Sequence, residues 1–123
     1  MITNAIQSIL SPLINSFSPV VESDKIPDGL FCVHNESITD HLRDKEGEYG
    51  RIYDLSITLV GDSIAEIDDM VDEITDTLEA TEGTIENALI DEIILKSTMG
   101  TTWDDEKKKY YNTINFSVET QNL

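Results

Sequence analysis

The residues predict an α+β domain in which an antiparallel sheet of about four strands, laid out as two hairpins with long tips, is packed on one face by two helices. Three patterns carry that expectation. Apolar residues recur three and four positions apart near the N-terminus and again in 64–78, they alternate with polar residues in 53–59 and 110–118, and polar glycine-punctuated stretches separate these segments. The length of 123 residues suits one domain, 1–123, able to bury roughly two thirds of its unfolded surface.

Ile2, Ile6, Ile9, Leu10, Leu13, Ile14 and Phe17 mark one face of a first amphipathic helix, kinked or restarted at Pro12, whose ring disrupts a helix interior. The connector "SPVVESDKIPDG" is turn-rich around a short extended piece, and Pro27 turns Ile26 away from helical geometry. Residues 30–39, "LFCVHNESIT", read as a first strand, and "DHLRDKEGEYG" as the polar loop at its hairpin tip. In "RIYDLSITLV" the alternation is clear: Tyr53, Leu55, Ile57 and Leu59 lie on one side, with Asp54, Ser56 and Thr58 on the other.

A second helix starts at Ser63, which can cap it while Glu66 reaches back in a capping box. At 100° per residue Ile64, Ile67, Met70, Val71, Ile74 and Leu78 fall on one arc of this helix. Glu66, Asp68, Asp69, Asp72, Glu73, Asp76 and Glu79 fall on the other. Gly83 suits its end or the turn just beyond. The remainder, "IDEIILKSTMGTTWDDEKKKYYNTINFSVETQ", reads as two strands joined by the loop "GTTWDDEKKK". In the last strand Tyr110, Asn112, Ile114, Phe116 and Val118 share one face.

Charge narrows the functional classes. With 25 acids against 8 bases the net charge is −17, which disfavours binding to a nucleic-acid backbone or to an anionic membrane, since both need Lys and Arg. Between Arg51 and Lys96 there is no basic residue at all. Within the second helix, like charges four apart at Asp68/Asp72, Asp69/Glu73 and Asp72/Asp76 each cost about 0.2–0.5 kcal/mol. Such a face is either a tolerated solvated surface or one whose function needs negative charge: a wall that must not hold DNA, or a surface that imitates it.

The single Cys32 fits a reducing compartment, and the N-terminus lacks the basic n-region of a signal peptide. No apolar run approaches the ~20 residues that span a bilayer, so cytoplasmic synthesis without membrane contact is expected. "CVH" places Cys32 and His34 on one side of a strand, with Asp40 and His41 a few residues on. A second Cys pair and an H-x-x-x-H spacing are both missing, so a bland core or surface role outweighs a zinc or nucleophile cluster. No EF-hand loop, Walker A, G-x-G-x-x-G or G-x-S-x-G motif is present. Catalytic, cofactor-binding and metal residues are therefore expected to be none, and the chain is not expected to be an enzyme. Trp103, beside "DDEKKK", is either folded over its own hairpin or an interface anchor; Tyr49 and Leu42 in the other long loop invite the same two readings.

Read in order, the pieces "KIPDGLFCVHNES", "YDLSITLVGDSIAEIDDMVDEITDTLEA" and "EIILKSTMGTTWDDEKKKYYNTINFSVET" resemble the tail-terminator or tail-completion proteins of long-tailed bacteriophages. The resemblance covers nearly the whole chain and lies in element order, with no invariant motif. It implies a non-enzymatic virion protein of the tail or neck, made in the bacterial host cytoplasm and needing no cofactor. It also implies a homo-oligomeric ring, typically a hexamer, that caps the tail-tube protein and meets the head-tail connector protein while DNA passes through without specific binding. The alternatives are another neck or tail-tube component, and an acidic DNA mimic that inhibits a host nucleic-acid enzyme.

Overall fold

The computed structural model describes residues 2–21 and 26–122, so part of the 18–29 connector lies outside the described residues. The elements in order are α1 (Thr3–Leu10), β1 (Asn15–Phe17), β2 (Phe31–Asp44), β3 (Gly47–Gly61), α2 (Ile64–Glu79), β4 (Gly83–Ile85), β5 (Ala88–Thr98), β6 (Thr102–Asp104) and β7 (Lys109–Gln121).

This corrects the expected fold class. Instead of about four antiparallel strands, the chain forms a mostly β structure: seven strands in one curled, mixed half-barrel sheet with two short helices. The strand order is β1-β2-β3-β7-β5-β4, with β6 pairing β7 beyond the end of β5. Three short strands escaped the periodicity reading for three different reasons. β1 pairs parallel to β2, which only a tertiary contact selects, and Ile14 and Phe17 also fit a helical spacing. β4 joins β5 through Glu86 and Asn87, both at positive φ (47° and 65°), where the sequence offers no glycine to mark the turn. β6 lies inside the polar stretch read as loop and pairs Trp103 with Tyr110.

Two further boundaries move. The first helix stops at Leu10, before Pro12, with no kink, and the chain turns into β1. The polar 40–50 segment is strand on both sides of a turn at residues 45–46, so β2 and β3 form a long arm. Alternation is invisible there because neither face of the arm is buried.

The core is built on the side of the sheet that carries Cys32 and His34 from β2, Tyr53, Leu55, Ile57 and Leu59 from β3, and Ile114, Phe116 and Val118 from β7. α2 packs against β3, β5 and β7, while α1 packs against β1 and α2. Ile67, Ile74 and Leu78 of α2 and Ala5, Ile6 and Leu10 of α1 are fully enclosed, each Ile or Leu side chain contributing about 1.5–3 kcal/mol by leaving water. Ile64, expected on that arc, is instead 47% exposed in the first turn of α2. Ser63 caps the helix by accepting from the Glu66 backbone N–H at 3.4 Å.

The other side of the sheet is polar in its middle and apolar at the Phe31, Val33 and Val60 end. Across its middle run Asn35, Ser56, Asn115 and Ser97, one on each long strand, with Asn115 donating to Ser97 Oγ at 3.1 Å. Thr58 and Thr113 are bonded beside them at 3.0 Å.

Gly50 sits where the arm leaves the sheet, paired with Leu42 on one side and Gln121 on the other. A Cβ at this position would lie 2.2 Å from the carbonyl oxygen of Thr120, a backbone atom that cannot turn aside. Replacing Gly50→Ala is expected to destabilise the protein by about 1–3 kcal/mol, the usual size of an overpacking penalty. Chemical denaturation of the two proteins measures it, and a variant as stable as the parent contradicts the close approach.

Candidate functional site

Four features singled out in the sequence acquire definite positions. The seven carboxylates from Glu66 to Glu79 are all exposed along α2, and no base lies on that helix. Two are engaged at its flanks: Asp68 accepts from Thr101 Oγ1 at 2.6 Å and Glu79 accepts from the Leu95 backbone N–H at 3.2 Å. Asp62, just before the helix, pairs with Lys109 Nζ at 2.6 Å. The middle of the face, Asp69, Glu73 and Asp76, is uncompensated among the described residues, so the negative field of α2 extends into solvent.

Cys32 and His34 do lie on one side of β2, but the structure makes no Cys-His pair of them. The Cys32 thiol is fully buried, and burial pushes its pKa up to about 12, so it stays protonated and unreactive. His34 bonds Glu36 through Nδ1 and approaches Gln7 Oε1 at 2.7 Å through Nε2. Gln7 in turn donates to the Ser16 carbonyl at 3.2 Å, and Thr3 donates to Glu36 at 3.2 Å. This enclosed network ties α1 and β1 to β2. The sequence reading missed it because Glu36 and Gln7 are unremarkable polar residues until folding brings them to the ring. No group of three or more His, Cys, Asp or Glu that could hold a metal ion occurs among the described residues.

His41 lies away from His34, on the arm. There Glu48 accepts from His41 Nδ1 at 2.6 Å and from Arg51 Nε at 2.8 Å. The Arg51 hydrogen bond first, and the His41 bond second, hold the Glu48 carboxyl down to about 2, and Glu48 raises Arg51 in return. Tyr49 near the arm's end is 47% exposed. Leu42 is half-buried.

Trp103 lies over its own hairpin, edge-on to Tyr110 with ring centroids 4.8 Å apart, and donates to Asp105 at 3.4 Å. It still leaves 45% of its surface in solvent. The lysines that follow are partly spent within the turn, Lys108 on Asp105 and Lys109 on Asp62. Lys107 and Lys109 rim a shallow apolar groove floored by Val33 and Val60. No described helix is long and apolar enough to cross a membrane.

Among the described residues, the sheet also has edge stretches without a neighbouring strand. β1 covers β2 only at Phe31–Val33, and β4 covers β5 only at its first three residues. What the arrangement offers is therefore surface: a polyanionic helix, a projecting arm and two strand edges.

No protein-family model and no curated protein matches the sequence. In structure the chain is similar to a chain of the "Virion of native gene transfer agent (GTA) particle", with a TM-score of 0.68 and 12% identity, over 95% of this chain and 84% of that one. At this identity the likeness is one of fold.

The arm yields a pH prediction. Folding lowers the Glu48 pKa from the ordinary 4.5 to about 2, so its contribution to stability is complete above pH 4.5 and is lost as pH falls through the folded value. The stability difference between the parent and Glu48→Gln is expected to be constant near neutrality and to vanish toward pH 2. Denaturation midpoints at a series of pH values measure it; a difference that survives at pH 2 contradicts the assignment.

Proposed function

We propose that this chain is a structural protein of a phage-like virion and acts as a tail terminator, a homo-oligomeric hexameric ring that caps the tail tube and joins it to the head-side connector. The observation that supports this reading is the fold likeness to a chain of a gene transfer agent virion, which runs over 95% of the sequence. In this reading the protein works without catalysis or cofactor, and its partners are copies of itself, the tail-tube protein and the connector protein.

The charge distribution fits the passage of DNA. A ring whose open surfaces carry carboxylates such as Asp69, Glu73 and Asp76 repels a polyanion instead of holding it. Charge left unpaired inside a subunit contact would be costly, so α2 faces lumen or solvent, and the arm and strand edges make the joints. Another neck or tail-tube component would share the same fold likeness but stack ring on ring into tubes. The carboxylate face of α2 favours one reading of a different class, a DNA mimic that blocks a basic nucleic-acid enzyme as a monomer or dimer in a salt-sensitive way.

Native mass spectrometry and electron microscopy of the purified protein with its tail-tube partner separate these. The expected result is a closed ring that arrests tube elongation and retains no duplex DNA at ordinary ionic strength. Rings that stack without limit favour the tube protein, and a lone chain that captures basic nucleases overturns the virion reading.

A further inference from the structure

Three of the chain's 8 bases stand together, Lys107, Lys108 and Lys109, at the turn from β6 into β7. Two of the turn's acids are occupied: Asp104 accepts from the Glu106 and Lys107 backbone N–H groups at 3.1 Å, and Asp105 pairs with Lys108. Lys109 is bound to Asp62, and Lys107 is exposed and makes no ion pair among the described residues.

Lys107 and Lys109 rim the apolar groove, which has a volume of about 550 Å³ and lies on the side of the sheet away from the helices. Val33 and Val60 floor it. Val21 and Ile26 line it from the connector, and Ile26 leaves 49% of its surface in solvent. An apolar floor with cations along one rim suits a guest whose aliphatic side chains are flanked by carboxylates.

The β2–β3 arm carries that pattern. Past the register shift after Ile38, Asp40, Leu42 and Asp44 alternate along β2 and so share one face, with Ile52 beside Asp40. Leu42 and Ile52 are half-buried and both carboxylates are exposed. Asp40 accepts from the His41 backbone N–H at 2.9 Å and Asp44 from that of Glu46 at 2.8 Å, and neither meets a base among the described residues. Of the nearby cations, His41 and Arg43 alternate to the opposite face and Lys45 lies in the turn.

A chain cannot fill its own groove with its own arm. Asp44 stands opposite Gly47 at one end of β3, and Tyr110, next to Lys109, stands opposite Gly61 at the other, which separates arm tip and groove by roughly 40 Å of strand. The arm that can reach the groove belongs to a second copy.

We propose that the β2–β3 arm of one copy lies in the groove of another, with Leu42 on the Val33–Val60 floor and Asp44 against Lys107. This deepens the ring reading, on which it rests, by naming a joint. Apolar burial supplies the attraction and the ion pair sets the orientation, since an exposed pair adds little by itself. Each copy gives an arm and receives one through two different surfaces, the arrangement that closes into a ring when the rotation per copy allows it.

Zero-length carbodiimide coupling joins a carboxylate to an amine in direct contact, and on a mixture of isotope-labelled and unlabelled protein it tests the joint by mass spectrometry of the peptides. The expected result is a link between Asp44 of one copy and Lys107 of another. Asp44→Lys abolishes that link, and adding Lys107→Asp restores one between the same two positions with the groups exchanged. Links from Lys107 to α2 carboxylates of another copy, in place of Asp44, overturn the proposal. Native mass spectrometry of the same samples with tail-tube protein present separates joint from ring. A closed ring without the Asp44–Lys107 link overturns the joint and leaves the ring reading standing. The link in a pair of copies that grows no further upholds the joint and overturns the ring, and a monomer without the link overturns both.

Discussion

A curled sheet with a single apolar face has to be roofed, and most of this structure follows from how that is done. The face made by Leu55, Ile57, Leu59, Ile114, Phe116 and Val118 is enclosed by Ile67, Ile74 and Leu78 of α2 and by Ile6 and Leu10 of α1. α2 is set by apolar packing on three strands. α1 has only eight residues, too few to persist alone in water, and depends on tertiary anchors. The His34–Glu36–Gln7–Ser16 chain of bonds supplies a polar one, and a Ser8–Glu86 bond at 3.1 Å reaches the turn on the far side of the sheet. A buried histidine in this setting locks the roof to the wall. The same network removes His34 from any partnership with Cys32.

Roofing one face decides where the charge goes. Apolar residues fill the inner arc of α2, so its carboxylates all project outward, and among the described residues they are engaged only at the flanks, by Thr101 and the Leu95 amide, with Lys109 pairing Asp62 just before the helix. The opposite face of the sheet, through Asn35, Ser56, Thr58, Thr113 and Asn115, is hydroxyl- and amide-bearing in its centre. The molecule thus separates a strongly anionic helix from a sheet surface whose centre is uncharged.

A sheet whose outermost strands are covered for only three residues each has much unused hydrogen-bonding capacity. Among the described residues β1 and β4 blunt opposite ends of opposite edges, and β6 lies beyond β5 on the same side of β7.

Much of this was legible in the residues. The alternation of 53–59 and 110–118, the span and cap of α2, and the outward direction of its acid depend on local period and local capping, which sequence carries directly. Folding alone decided the seven-strand mixed sheet that replaced the expected four-strand one. β1 and β6 are strands because β2 and β7 offer them partners, β4 because Glu86 and Asn87 accept a left-handed turn, and the arm because two solvated segments pair with each other. The partner of His34 was equally hidden, lying two residues away on the strand and 27 residues away on a helix. Periodicity reports which face of a segment meets apolar surroundings. It says nothing of which backbone completes a ladder, because those bonds are made between segments far apart in the chain and depend on geometry that no single segment contains.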